Sequence, residues 1–167
     1  MKLTEQTMLE VIEDTLASLA FMFPVESDTP AALDPNATER VMVEFSGPFR
    51  GVLLLSASPE MLEPLATSML GLEDGTSPCQ EQKQDAFREL LNVICGNLLP
   101  KIASPREVFY IHEPHLLAAQ DDGQAAAGGL TDCGAVDVNL DAGHVRLALR
   151  VESLSASSSL TSGRTQA

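Results

Sequence analysis

Positive charge is what this sequence has least of. Ten Lys and Arg residues stand against 24 Asp and Glu, a formal net charge of −14 and a pI of about 4.4. The ten cations are scattered from Lys2 to Arg164 and form no patch. Affinity for nucleic acid or for an anionic membrane rests on clustered cations, so neither is expected as a partner. Cysteine is also scarce. Cys79, Cys95 and Cys133 are odd in number and far apart, which argues against a disulfide framework. No stretch approaches the ~18–20 apolar residues of a membrane span. The N-terminal MKLTEQTMLEVIEDTL is charged too early and too often for a signal peptide. These absences lead to the expectation of a soluble cytoplasmic protein. What is present is a 44% share of hydrophobic residues in a chain of 167, enough for a folded domain with its own core.

Periodicity sets out the elements. Over residues 5–23, Met8, Ile12, Leu16, Leu19 and Phe23 fall on one helical face, with Thr4 as cap and Pro24 as stop. Residues 25–38 read as a loop. VMVEFS alternates, with Val41, Val43 and Phe45 on one side, and GVLLLS suits a buried strand; together they predict a hairpin. A second helix starts at Ser58-Pro59 and ends at Gly71, with Met61, Leu62, Leu65 and Met69 as its apolar face. A third runs from about residue 78 to 99, opened by Pro78 and by a Ser77/Gln80 capping box. EVFYI then reads as a strand, DDGQAAAGG as a loop, and GAVDVNL with HVRLALRV as a second hairpin. The expected fold class is α+β, long helices packed on a mainly antiparallel sheet. It comprises one domain over residues 1–152, followed by a Ser-rich, disordered tail at 153–167.

The third helix carries the most informative pattern. On a wheel of about 100° per residue, Leu90, Leu91, Ile94 and Leu98 fall within about 60° of Phe87. Asp85, Glu89, Asn92 and Gly96 gather on the opposite side, at successive steps of four, three and four. Carboxylates on an outward face are what an acidic protein shows anyway. Asn and Gly are different, because Ala, Lys, Glu or Arg would hold an exposed helical position more stably. Gly suits a place where another backbone comes close. An Asn amide offers a donor and an acceptor that do not titrate, able to position a water but poor at accepting a proton.

Asp85-x-x-x-Glu89-x-x-Asn92, with Pro114 after 21 intervening residues, resembles the signature of the CheC/CheX/FliY chemotaxis phosphatases, one residue short of the family's usual spacing to its Pro. Asp85 matches the family's Asp or Ser, Glu89 its Glu, Asn92 its Asn and Pro114 its Pro; Gly96 matches a glycine frequent in such helices. CheC-like members carry two active helices. Here Glu10, Glu13 and Asp14 of the first helix have no Asn three residues on, so the chain is more similar to CheX, which implies a homodimer.

The resemblance implies a phosphatase acting on the aspartyl phosphate of a CheY-like receiver domain, in chemotaxis or related two-component signalling. Asn92 would hold the attacking water, a role like that of the water-positioning Gln in GTPases. Glu89 would pair with the receiver's active-site Lys. Asp85, Gly96 and Pro114 would serve docking. No cofactor is expected in this chain, and Mg²⁺ would belong to the receiver. The alternative is a non-catalytic receiver-docking or dimerisation module of the same fold, in a signalling or flagellar complex. Competing signals are weaker. His112-Glu113-Pro114-His115 is not a zinc-protease pattern, and DVNLDAG starts like a calcium loop but has Ala142 at the Gly position and Ala148 at that of the final Glu. Cys95 reads as packing, so no metal site is expected.

Overall fold

A computed structural model describes residues 3–28, 32–118, 121 and 129–152. The expected tail at 153–167 and most of the 119–130 loop lie outside the described residues. The elements run α1 (Glu5–Ala20), β1 (Glu39–Ser46), β2 (Gly51–Ala57), a 3₁₀ turn (Pro59–Met61), α2 (Leu62–Leu70), α3 (Gln80–Ile102), β3 (Tyr110–Ile111), β4 (His115–Leu116), β5 (Leu130–Leu140) and β6 (Gly143–Glu152). Among the described residues six strands form one sheet in the order β3-β1-β2-β6-β5, with β4 also on β1, and every pairing is antiparallel. The α+β class therefore holds, although of the described helices only α3, at 23 residues, is long.

Alternation along the strands decides which side faces the helices. Register places Val41, Leu55, Leu147 and Val136 in one cross-strand row and Val43, Leu53 and Leu149 in the next. All seven are buried, and they join the inward faces of α1, α2 and α3 in one core. The alternate rows point to the other face; the one through Met42, Leu54, Ala148 and Ala135 is apolar, and those on either side of it carry charge. There Arg146 Nη1 donates to Asp137 at 3.0 Å and Arg150 Nε to Asp132 at 2.7 Å. The first hairpin closes tightly because residue 51 is Gly. A Cβ there would lie 2.5 Å from the Arg150 carbonyl and 2.6 Å from Phe45 Cζ.

Several boundaries differ from those read in the sequence, each for a tertiary reason. Helix α1 is capped by Thr4, whose hydroxyl accepts from the Thr7 N–H at 3.0 Å, but it ends at Ala20 rather than 23. Phe21 is left-handed (φ 53°), and the chain then runs along the edge of β5, where the Val25 N–H donates to the Asn139 carbonyl at 2.9 Å. Phe23, expected on the core face, is 60% exposed. Gly71 does end α2, in the left-handed region (φ 61°). The Ser58 hydroxyl does not cap; it accepts the His144 N–H at 2.9 Å. The capping box of α3 is shifted two residues from that expected: the Cys79 N–H donates to Gln82 Oε1 at 2.9 Å, while the Ser77 hydroxyl is turned to Glu63 at 3.3 Å.

Pro100 does not stop α3, which continues to Ile102. A proline in a helix removes the bond to the carbonyl four residues back. That carbonyl belongs to Gly96, and both residues are exposed, so water can replace the lost donor. The segment expected to be one strand, EVFYI, pairs only through Tyr110 and Ile111, and a further pair, His115–Leu116, follows.

Candidate functional site

That interrupted segment builds one wall of the site. Ile111 is opposite Phe45 and His115 opposite Met42, so residues 112–114 face only Val43 and Glu44. One residue is in excess, which is the geometry of a β-bulge. Proline explains its place, since Pro114 has no N–H for the ladder. His112 still donates to the Glu44 carbonyl at 2.9 Å, and Leu117 resumes pairing with Arg40 at 3.0 Å. Glu113 and Pro114 are thereby set against α3.

The other wall is the outward side of α3. Its inward side is fixed by Phe87, Leu90, Leu91, Ile94 and Leu98, all at most 1% exposed. That anchoring leaves Asp85, Glu89 and Gly96 exposed and Asn92 half-buried. Between the walls lies a shallow groove of about 220 Å³, lined by Asp85, Arg88, Glu89, Asn92, Glu113 and Pro114. The structure thus brings together Asp85, Glu89, Asn92 and Pro114. Gly96, one turn beyond Asn92, is not part of the lining. Arg88 and Glu113 also line the groove, although the sequence pattern does not mark them as site residues. The wheel places Arg88 between core face and stripe, and Glu113 arrives only through the bulge.

Polar pairing differs across the groove. Arg88 Nη2 donates to Asp85 Oδ1. Among the described residues, Glu89 and Asn92 have no side-chain hydrogen bond or ion pair, so an acceptor carboxylate and an amide stand side by side, turned to solvent. A larger depression of about 410 Å³ is lined in part by Ser58, Asn139 and His144, and these three are paired within the fold. His144 Nδ1 lies 2.7 Å from Asn139 Oδ1 and Nε2 lies 2.9 Å from Asp137 Oδ1. Cys95 is fully buried on the inward side of α3, and burial pushes its thiol up to about 12. It stays a neutral packing group at ordinary pH. No group of three or more His, Cys, Asp or Glu side chains converges to hold a metal among the described residues. No helix among them is long and apolar enough to cross a membrane.

Gly96 gives the first test. A Cβ there would meet nothing within 4 Å, so the fold itself does not require glycine. Gly96→Ala is expected to stabilise the protein by roughly 1 kcal/mol through helix propensity alone, read as a rise in Tm. A simultaneous loss of partner affinity would locate the close approach outside the chain.

The family model described as "Chemotaxis phosphatase CheX" matches residues 40–129, the stretch that holds α3, the bulge and the groove. A comparison with curated proteins finds no match. Among solved structures, CheX of Vibrio vulnificus superposes with a TM-score of 0.65 at 13% identity, over 90% of this chain and 100% of that one. CheX of Desulfovibrio desulfuricans gives 0.62 at 14% identity, over 88% and 97%. CheX of Borrelia burgdorferi, crystallised in a complex with CheY, BeF3 and Mg²⁺, gives 0.58 at 15% identity, over 88% and 96%. At these identities the structures establish the fold.

Proposed function

The chain belongs to the CheX family of chemotaxis phosphatases, and we propose that it hydrolyses the aspartyl phosphate of a CheY-like response regulator at the groove between α3 and the Glu113–Pro114 bulge. The observation that carries this reading is the juxtaposition of Glu89, Asn92 and Pro114 in one solvent-facing groove. The complex formed by the Borrelia burgdorferi CheX with CheY supports a receiver as the class of partner.

Hydrolysis requires a water in line with the phosphorus–oxygen bond, and positioning with charge neutralisation supplies most of the rate. Asn92 offers what positioning needs. Its amide can accept one hydrogen bond from the water and donate another to a phosphoryl oxygen, with no dependence on pH. Glu89, three residues before it on the same side, places a carboxylate where the receiver's lysine would dock. Asp85 and the bulge extend the contact surface, and exposed Gly96 lets a loop of the receiver approach the helix. Mg²⁺ enters with the receiver and is part of the substrate. A homodimer, implied by resemblance to CheX, is part of the same proposal.

The test is phosphate release from purified phosphorylated receivers of the same cell, with and without this protein. Acceleration by the wild type is the expected result. Glu89→Ala is expected to raise KM roughly 10- to 100-fold, the equivalent of about 1.5–3 kcal/mol for a hydrogen bond to a charged group, with a smaller change in kcat. Binding of phosphorylated receiver without any turnover would instead establish a docking module.

A further inference from the structure

Arg88 stands out because its charge runs against its surroundings. Among the described residues lining the groove it carries the one positive charge, facing the carboxylates of Asp85, Glu89 and Glu113. An aspartyl phosphate brought to Asn92 is itself anionic. Without Arg88 the groove would meet it with like charges alone, on a chain whose net charge is already −14.

We propose that Arg88 binds the phosphoryl oxygens of the docked aspartyl phosphate; this rests on the receiver-phosphatase reading above. Position comes first. Arg88 and Asn92 are four residues apart on α3, so their side chains are neighbours on one ridge, roughly 5–6 Å apart at Cβ. A group held on the Asn92 amide is therefore within reach of the guanidinium. Availability comes second. The guanidinium is paired with Asp85, but the two side chains are 36% and 59% exposed. An ion pair so open to water is weak and readily exchanged. Until docking, Asp85 holds the guanidinium over the groove; on docking, the phosphoryl group replaces Asp85 as acceptor. Chemistry comes third. The planar fork of donors in Arg matches two phosphate oxygens at once, and charge on those oxygens is what a phosphoryl-transfer transition state spreads. Asn92 would thus orient the water, Glu89 the receiver's lysine, and Arg88 the phosphoryl group.

The experiment compares binding of the intact protein to one receiver, bare and loaded with beryllofluoride and Mg²⁺ as the phosphoryl mimic, together with steady-state dephosphorylation. Arg88→Ala is expected to weaken binding of the loaded receiver roughly 10- to 100-fold, as for loss of a charge-assisted contact. Binding of the bare receiver should stay unchanged, kcat should fall, and Tm should hold. Arg88→Lys, which keeps the charge but not the fork, should recover part of the loss. Equal weakening toward bare and loaded receiver would overturn the proposal by assigning Arg88 to the receiver's protein surface. Wild-type behaviour of Arg88→Ala in a protein that does accelerate dephosphorylation would also overturn it, leaving Arg88 as a partner of Asp85 only. If the wild type itself neither accelerates phosphate loss nor prefers the loaded receiver, it is the phosphatase reading that fails.

Discussion

Asn92→Ala is expected to bring receiver dephosphorylation down by roughly 10²–10³-fold, the size seen when one preorganised hydrogen-bonding group is removed from a reacting centre. The phosphate should then be lost at close to the receiver's own rate. Binding should change far less, because Glu89, Arg88 and the bulge remain. Stability should move in the opposite sense. Ala is a better helix former than Asn by about 0.5 kcal/mol, and Asn92 gives up no hydrogen bond to any described residue of its own chain. A variant with unchanged or slightly raised Tm, retained affinity and no turnover separates a chemical role from a structural one. A variant that dephosphorylates at the wild-type rate sinks the assignment of the water to Asn92. Asn92→Asp extends the measurement. It keeps the shape but loses the amide donors and puts a negative charge beside the phosphoryl group, so it should be as inactive as Ala and bind more weakly.

The part of this site carried by α3 is legible in the sequence because one helix face is strongly apolar. Phe87, Leu90, Leu91, Ile94 and Leu98 fix the rotation of the helix, and all five are buried; the outward direction of Asp85, Glu89 and Asn92 follows from that rotation. Arg88 lies on the boundary between the two faces, where the wheel does not decide. Glu113 could not be placed by periodicity at all. Its position depends on a one-residue excess opposite β1, between two strands of two residues each, too short for alternation to show. The errors at the helix ends have the same origin. Helical periodicity carries the apolar pattern on to Phe23, and Pro100 is locally a helix breaker, while the observed ends follow from solvent at the Gly96 carbonyl and from pairing of residues 24–25 with β5.

The anchoring of α3 predicts the largest effect on stability. Phe87 is fully buried and among the largest side chains in the core. It immediately precedes Arg88 and Glu89 on the helix, so what holds Phe87 also sets the direction of the groove residues. Phe87→Ala removes most of a ring from a packed interior and is expected to cost about 3–5 kcal/mol. For a chain of this size that lowers Tm by ~6–20 °C, or shifts the urea midpoint with the slope unchanged. Phe87→Leu keeps most of the volume and should cost about 1.5 kcal/mol or less. The graded pair matters more than either value. If cavity formation is the cause, loss should follow the volume removed, and receiver binding per folded molecule should weaken only for Ala, where α3 is free to roll and carry Glu89 and Asn92 off the Glu113–Pro114 wall. Equal losses for Leu and Ala would point to the aromatic ring itself, and a loss below ~1 kcal/mol for Ala would mean that the core face of α3 closes over the space and does not fix the groove.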